Sequence, residues 1–111
     1  MSEDDIDVEE AKSRFDAGAL MLDVRTADEW GAGHVDGSTW IPLPELGARA
    51  GEVPNDRAVL VICRTGARSA RAAQALTGAG YDAVNVAGGA KAWVEAGHLL
   101  VRDDGSPGEV A

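Results

Sequence analysis

The single cysteine of this chain, Cys63, closes an apolar run, Ala58–Ile62, and opens a polar turn, Arg64-Thr65-Gly66-Ala67-Arg68-Ser69. The reactive form of a thiol is the thiolate, and a thiolate persists where its surroundings are positive. This segment supplies such surroundings in three ways. Gly66 permits a conformation in which successive backbone N–H groups converge on one atom. The alanine-rich helical pattern that follows turns its positive end towards the turn. Arg64 and Arg68 add two fixed cations. Free cysteine at the end of a core strand is also a common packing residue. The polar, cationic, turn-forming sequence after Cys63 argues against that blander reading, and the expected chemistry is that of a reactive thiolate. The two histidines, His34 and His98, are distant in sequence and no cysteine-protease signature accompanies the thiol. A thiolate held by backbone dipoles and arginines needs no histidine. His34, within Gly33-His34-Val35-Asp36-Gly37, reads as a structural turn residue, and His98, after Gly97, as a surface residue.

Four segments read as the strands that must position this turn. Residues 19–24 and 38–41 are short and apolar or β-rich, the second ended by Pro42. Residues 58–63 form a continuous apolar run, as expected of a central strand covered on both faces. Residues 83–86 are ended by Gly88-Gly89. Helical signals alternate with them. Asp7 is an N-cap acid with Glu10 three residues on, and Thr26-Ala27-Asp28-Glu29 is a capping box ahead of Trp30. Pro44 suits a first helical turn. From Ser69 to Thr77, Ser69, Ala72, Ala73 and Leu76 share one helical face. Ala90–Ala96 forms a last helix, with Gly97 suited to the left-handed position beyond its end. This alternation predicts an α/β fold: a small open, mostly parallel sheet of about four to five strands with helices on both faces. In such sheets, sites form beyond the C-terminal strand ends. Both Asp23-Val24-Arg25 and Cys63-Arg64 lie at such ends.

The 111 residues make one domain, large enough to bury roughly 65% of its unfolded surface. The net charge of −9 is concentrated at the two ends: residues 1–10 hold six acids and no base, residues 103–111 three acids and no base, and residues 11–102 balance at ten of each. The expected organisation is an acidic N-terminal tail over 1–5, a domain over 6–102 and a flexible acidic tail over 103–111, the tails serving solubility. A balanced central region disfavours a nucleic-acid partner. With no apolar run of about 18 residues and no secretion-type N-terminus, no membrane partner and a cytoplasmic location are expected. One cysteine excludes an internal disulfide and a cysteine-rich metal site.

Taken in order along the chain, these motifs resemble a single domain of the rhodanese sulfurtransferase family. The matching pieces are Leu22-Asp23-Val24-Arg25 with Glu29-Trp30; Gly33-His34-Val35-Asp36-Gly37 with Trp40-Ile41-Pro42; the Cys63–Arg68 loop with Ser69; and Gly80-Tyr81-Asp82-Ala83-Val84 leading to Gly88-Gly89-Ala90-Lys91-Ala92-Trp93 and Gly97. The resemblance spans about residues 6–101. It implies that the Cys63 thiolate takes the outer sulfur of a donor such as thiosulfate, becomes a persulfide, and passes the sulfur to cyanide, a thiol or a protein acceptor. No cofactor and no metal are implied.

The resemblance implies the following site roles, position by position. Cys63 is the nucleophile and sulfur carrier. Residues 64–69 cradle the anionic sulfur, with Thr65 and Gly66 shaping the loop, Ala67 within it and Ser69 capping the next helix. Arg68 and Arg64 orient the loop or meet an anionic donor. Asp23 and Arg25 brace the loop from the neighbouring strand end. Trp93 and Trp30 read as core, while Trp40 belongs either to the core or to the mouth of the site. Phosphatases and arsenate reductases of the wider superfamily place arginine six residues after the cysteine. Here that position is Ser69 and the arginine is Arg68, a shorter loop better suited to sulfur. The rival reading is a rhodanese-like module that binds a partner or senses oxidants. Without a second cysteine, the sulfur acceptor must be another molecule or another copy.

Overall fold

A computed structural model describes residues 4–111. Its five parallel strands are β1 (Asp5–Ile6), β2 (Leu20–Asp23), β3 (Thr39–Trp40), β4 (Val59–Ile62) and β5 (Ala83–Val86), in the spatial order β1-β5-β4-β2-β3. The helices are α1 (Val8–Asp16), α2 (Ala27–Ala32), α3 (Leu46–Arg49), α4 (Ala67–Gly78) and α5 (Gly89–Glu95). Short 3₁₀ turns flank α3, the first of them holding Pro44.

The apolar run 59–62 is central because it can be buried on both sides, and all four of its residues are. Alternate side chains of β4 serve two cores. Val59, Val61 and Cys63 pack with Leu46, Ala72, Ala73 and Leu76 beneath α3 and α4. Leu60 and Ile62 pack with Ala11, Val86, Ala90 and Trp93 beneath α1 and α5. The small side chains of α4 bring its backbone close to the sheet. Asp7 caps α1 by accepting the Glu10 N–H (2.9 Å), and Thr26 with Glu29 forms the capping box of α2. Gly97 takes the left-handed conformation (φ 91°) past the end of α5, as its position after Ala96 predicts.

Differences from the sequence reading lie at the ends. Residues 1–3 of the expected acidic tail are outside the described residues, and Asp5 belongs to β1. That strand pairs with β5, Asp5 opposite Asn85. The segment 103–111, expected to be a flexible tail, lies against the domain. Val101 bridges both His34 and Pro107, the Gly108 N–H donates to the Leu100 carbonyl, and the Glu109 N–H donates to the Ala32 carbonyl. Two glycines make that approach possible, since a Cβ on Gly108 would stand 2.7 Å from the Gly33 Cα.

Candidate active site

The site is built on the end of β4. Cys63 follows the strand directly and is 1% exposed. Two of the carbonyls at the turn are claimed from the other side: the N–H groups of Ala90 and Lys91, at the start of α5, donate to the Cys63 and Arg64 carbonyls (2.8 and 3.0 Å). With those carbonyls tied outward, the turn presents N–H groups inward. Gly66, at φ 106°, completes it, and its N–H donates to Cys63 Sγ (3.1 Å). Such contact with α5 requires Gly89, because a Cβ there would stand 2.4 Å from the Cys63 carbonyl oxygen and 2.6 Å from the Arg64 carbonyl carbon. The Gly88-Gly89 pair is thus the footing of the cysteine loop.

Burial pushes the Cys63 thiol up, while the Ser69 hydroxyl and the N–H groups of Ser69, Gly66 and Thr65 pull it down. The hydrogen bonds prevail, and the thiol lies below its ordinary value.

The loop residues divide by what they touch. Gly66 and Ser69 are buried at the sulfur, whereas Arg64, Thr65 and Ala67 are exposed around it. Ser69 does not cap α4, contrary to its expected role. The N-cap of α4 is Gly66 and has no side-chain cap, and Ser69 Oγ instead lies 3.2 Å from Cys63 Sγ, with Asn85 Oδ1 on its other side. Arg68 is held by Glu29, its Nη1 and Nη2 donating to the two carboxylate oxygens (2.7 and 2.8 Å). Arg64 Nε donates to the carbonyl oxygen of Ala111 (3.0 Å).

Asp23 and Arg25 form a bidentate ion pair (Nη2–Oδ2 2.7 Å) in which both side chains are 1% exposed. Arg25 Nη2 also donates to the Gly33 carbonyl. Asp23 sits opposite Ile62, the residue before Cys63, so the pair lies beside the strand end from which the loop departs. Trp40 Nε1 donates to the Arg25 carbonyl (2.9 Å). Trp40 lines a cleft of about 440 Å³ with Val24, Pro42, Leu43 and Arg68, which places it at a mouth beside the loop. Trp30 is half-buried, stacked between Trp40 and His34 (centroids 5.6 and 3.6 Å), and Trp93 is 2% exposed. His34 accordingly serves structure: Nδ1 meets the Trp30 carbonyl at 2.9 Å and its backbone bridges Val101.

The comparisons with known proteins agree with this geometry. The family model described as "Rhodanese-like domain" matches residues 7–96. The chain belongs to the rhodanese-like family. A relative named "Sulfurtransferase", from Allochromatium vinosum, is 37% identical over 87 residues, covering 78% of this chain and 81% of its own. A second, the probable adenylyltransferase/sulfurtransferase MoeZ of Mycobacterium tuberculosis, is 38% identical over 91 residues, but the chain spans only 23% of its length. Among solved structures, the rhodanese-related protein of Thermoplasma volcanium superposes with a TM-score of 0.83 at 33% identity, covering 87% of this chain and 96% of that one. The open five-stranded parallel sheet is that of its rhodanese-like neighbours.

Glu29, Asn85 and Asp5 are the site residues that the sequence reading did not assign. Glu29 was legible as a helix cap and as part of a matching motif, and its hold on Arg68 joins residues 39 apart. The signal for Asn85 was a polar residue inside an apolar strand. Among the described residues, no group of three or more His, Cys, Asp or Glu side chains is placed to hold a metal ion, and no helix is long and apolar enough to cross a membrane.

Proposed function

We propose that this rhodanese-like domain transfers sulfane sulfur through a Cys63 persulfide. The Cys63 thiolate attacks the outer sulfur of thiosulfate. The new bond joins Sγ to that sulfur, and the old sulfur–sulfur bond breaks with its electron pair leaving on sulfite. A thiophilic acceptor such as cyanide, a thiol or a protein cysteine then attacks the outer sulfur and returns Cys63 as thiolate. Each step exchanges one sulfur–sulfur bond or passes one sulfur on, so no external oxidant is needed. The observation that carries this reading is the inward-facing turn, in which Cys63 Sγ receives the Gly66 N–H while α5 holds the opposing carbonyls. The same donors suit the terminal sulfur of a persulfide, as an oxyanion hole suits developing charge.

One observation favours a second reading of the donor. Arg68 is committed to Glu29, and Arg64 already has a carbonyl partner. A persulfide on a partner protein, which brings less charge than the thiosulfate dianion, asks less of these cations. Steady-state assays with cyanide as acceptor separate the two. Thiocyanate formation from thiosulfate, dependent on Cys63, supports the first reading. Turnover with a low-molecular-weight persulfide but not with thiosulfate supports the second, and turnover with neither refutes sulfur transfer.

A further inference from the structure

Asp5 and Asn85 touch no reacting atom, yet they join Cys63 through a continuous row of hydrogen bonds. Asn85 Nδ2 donates to Asp5 Oδ1 (2.9 Å), Asn85 Oδ1 meets Ser69 Oγ, and Ser69 Oγ lies 3.2 Å from Cys63 Sγ. The two middle members are 0% (Ser69) and 4% (Asn85) exposed. Asp5 and Asn85 are register partners on β1 and β5, which fixes their side chains beside one another.

The row has a direction. A carboxylate only accepts hydrogen bonds, so the Asn85 amide must turn its nitrogen to Asp5 and its oxygen to Ser69. An amide oxygen also only accepts, and the Ser69 hydroxyl has one proton. That proton goes to Asn85, and Ser69 turns a lone pair towards sulfur. A lone pair suits an S–H group and opposes a thiolate. For the hydroxyl to donate to the thiolate it must rotate, leaving Asn85 Oδ1 buried without a donor, which is costly.

We propose that Asp5 is a positioning residue for Cys63: through Asn85 it directs the Ser69 proton away from sulfur, so the resting site holds a hydrogen-bonded thiol and the hydroxyl turns only on ionisation. The loop N–H groups favour the thiolate; the Ser69 hydroxyl joins them once it has turned to sulfur, and the Asn85–Asp5 end of the row sets the cost of that turn. The other charged groups around Cys63 are Arg64 on the loop, Arg68 on α4 with its partner Glu29, and the Asp23–Arg25 pair at the end of β2. From α5 come the backbone N–H groups of Ala90 and Lys91, while the Lys91 residue itself is exposed. None of these is altered by a change at Asp5.

The proposal rests on Cys63 being the working thiol, but its test needs no sulfur donor, so a failure of sulfur transfer and a failure of this row are separately visible. Thiolate ultraviolet absorbance against pH, corrected with Cys63→Ser, and the pH dependence of alkylation by iodoacetamide are measured in wild type, Asp5→Asn, Ser69→Ala and the double variant. Asp5→Asn keeps the shape and can donate, which lets Asn85 turn over, donate to Ser69 and free the hydroxyl for sulfur. The thiol midpoint should then fall by about one unit, the size of one hydrogen bond gained by an ionised acceptor. In the Ser69→Ala background, Asp5→Asn should leave the midpoint where it was. A rise or no change with Ser69 present overturns the proposal. So does an equal fall in both backgrounds, which would assign Asp5 a charge effect independent of the row.

Discussion

Replacing Gly89 by alanine should damage the site more than any other single added methyl group on the loop's footing. Gly89 has φ 59°, and its added Cβ would stand 2.4 Å from the Cys63 carbonyl oxygen and 2.6 Å from both the carbon and the oxygen of the Arg64 carbonyl. All three are backbone atoms, so no side chain can swing aside. Restoring ordinary contact requires the loop and α5 to part by about 1 Å. Parting them breaks the Ala90 and Lys91 hydrogen bonds that hold the loop carbonyls outward. The left-handed backbone alone costs about 1–2 kcal/mol for a residue with a Cβ. Two lost backbone hydrogen bonds at about 1 kcal/mol each bring the expected destabilisation to about 3–4 kcal/mol. A loop displaced by about 1 Å should also lose on the order of 10²-fold in sulfur-loading rate. Gly97→Ala is the control, because Gly97 shares a positive φ (91°) but has nothing within 4 Å of its added Cβ. It should cost only the conformational share and leave the rate unchanged. Urea unfolding and loading kinetics on both variants provide the comparison. Equal destabilisation by the two substitutions, with loading intact in both, would refute the idea that Gly89 is the footing of the loop.

Three further outcomes follow from the same geometry. Arg25→Ala strands the Asp23 carboxylate in a site where both partners are 1% exposed, and should cost about 3–5 kcal/mol in urea unfolding; a loss below about 1 kcal/mol would contradict the brace assigned to the pair. The Glu29 carboxyl is held down to about 2, from 4.5, chiefly by the Arg68 guanidinium against the opposing effect of burial. A depressed carboxyl stabilises fully above its unfolded value and less as it protonates, so this contribution should be present above pH 4.5 and be lost as pH falls towards 2. Glu29→Gln should therefore flatten the acid limb of the stability profile, and an unchanged acid limb would show that the ion pair contributes nothing there. Cys63→Ser should keep the unfolding midpoint near that of wild type while abolishing thiocyanate formation; retained turnover would place the sulfur elsewhere.

The parts of this molecule that are legible in its sequence are those whose physics is local. The apolar run into Cys63 must be a covered strand, Thr26 and Glu29 announce a helix start, and Gly66 with its polar neighbours announces a turn that faces an anion. What escapes is decided by partners far along the chain. β1 has two residues, one of them acidic, and is a strand only because β5 offers it an edge some 80 residues later. Glu29 satisfies a local capping rule and also holds Arg68, and nothing local distinguishes one duty from two. Ser69 has the composition of a cap, yet the cap is Gly66 and the helix begins at Ala67, and that shift by three residues puts the hydroxyl at sulfur instead. The acidic segment 103–111 reads as solvated because its side chains are polar. Its hold on the domain runs through the Gly108 and Glu109 N–H groups, the Ala111 carbonyl that Arg64 meets, and Val110 packed on the core beneath α1 and α5, and the polar composition of the segment gives no sign of it.

The central claim is that Cys63 takes up a single sulfur atom on its thiolate. Intact mass after incubation with thiosulfate, without reductant, on wild type and Cys63→Ser tests it most directly. The account predicts a gain of one sulfur atom in wild type alone, removed by cyanide. A gain in the Cys63→Ser variant, or no gain in wild type with either thiosulfate or a small persulfide, would contradict it.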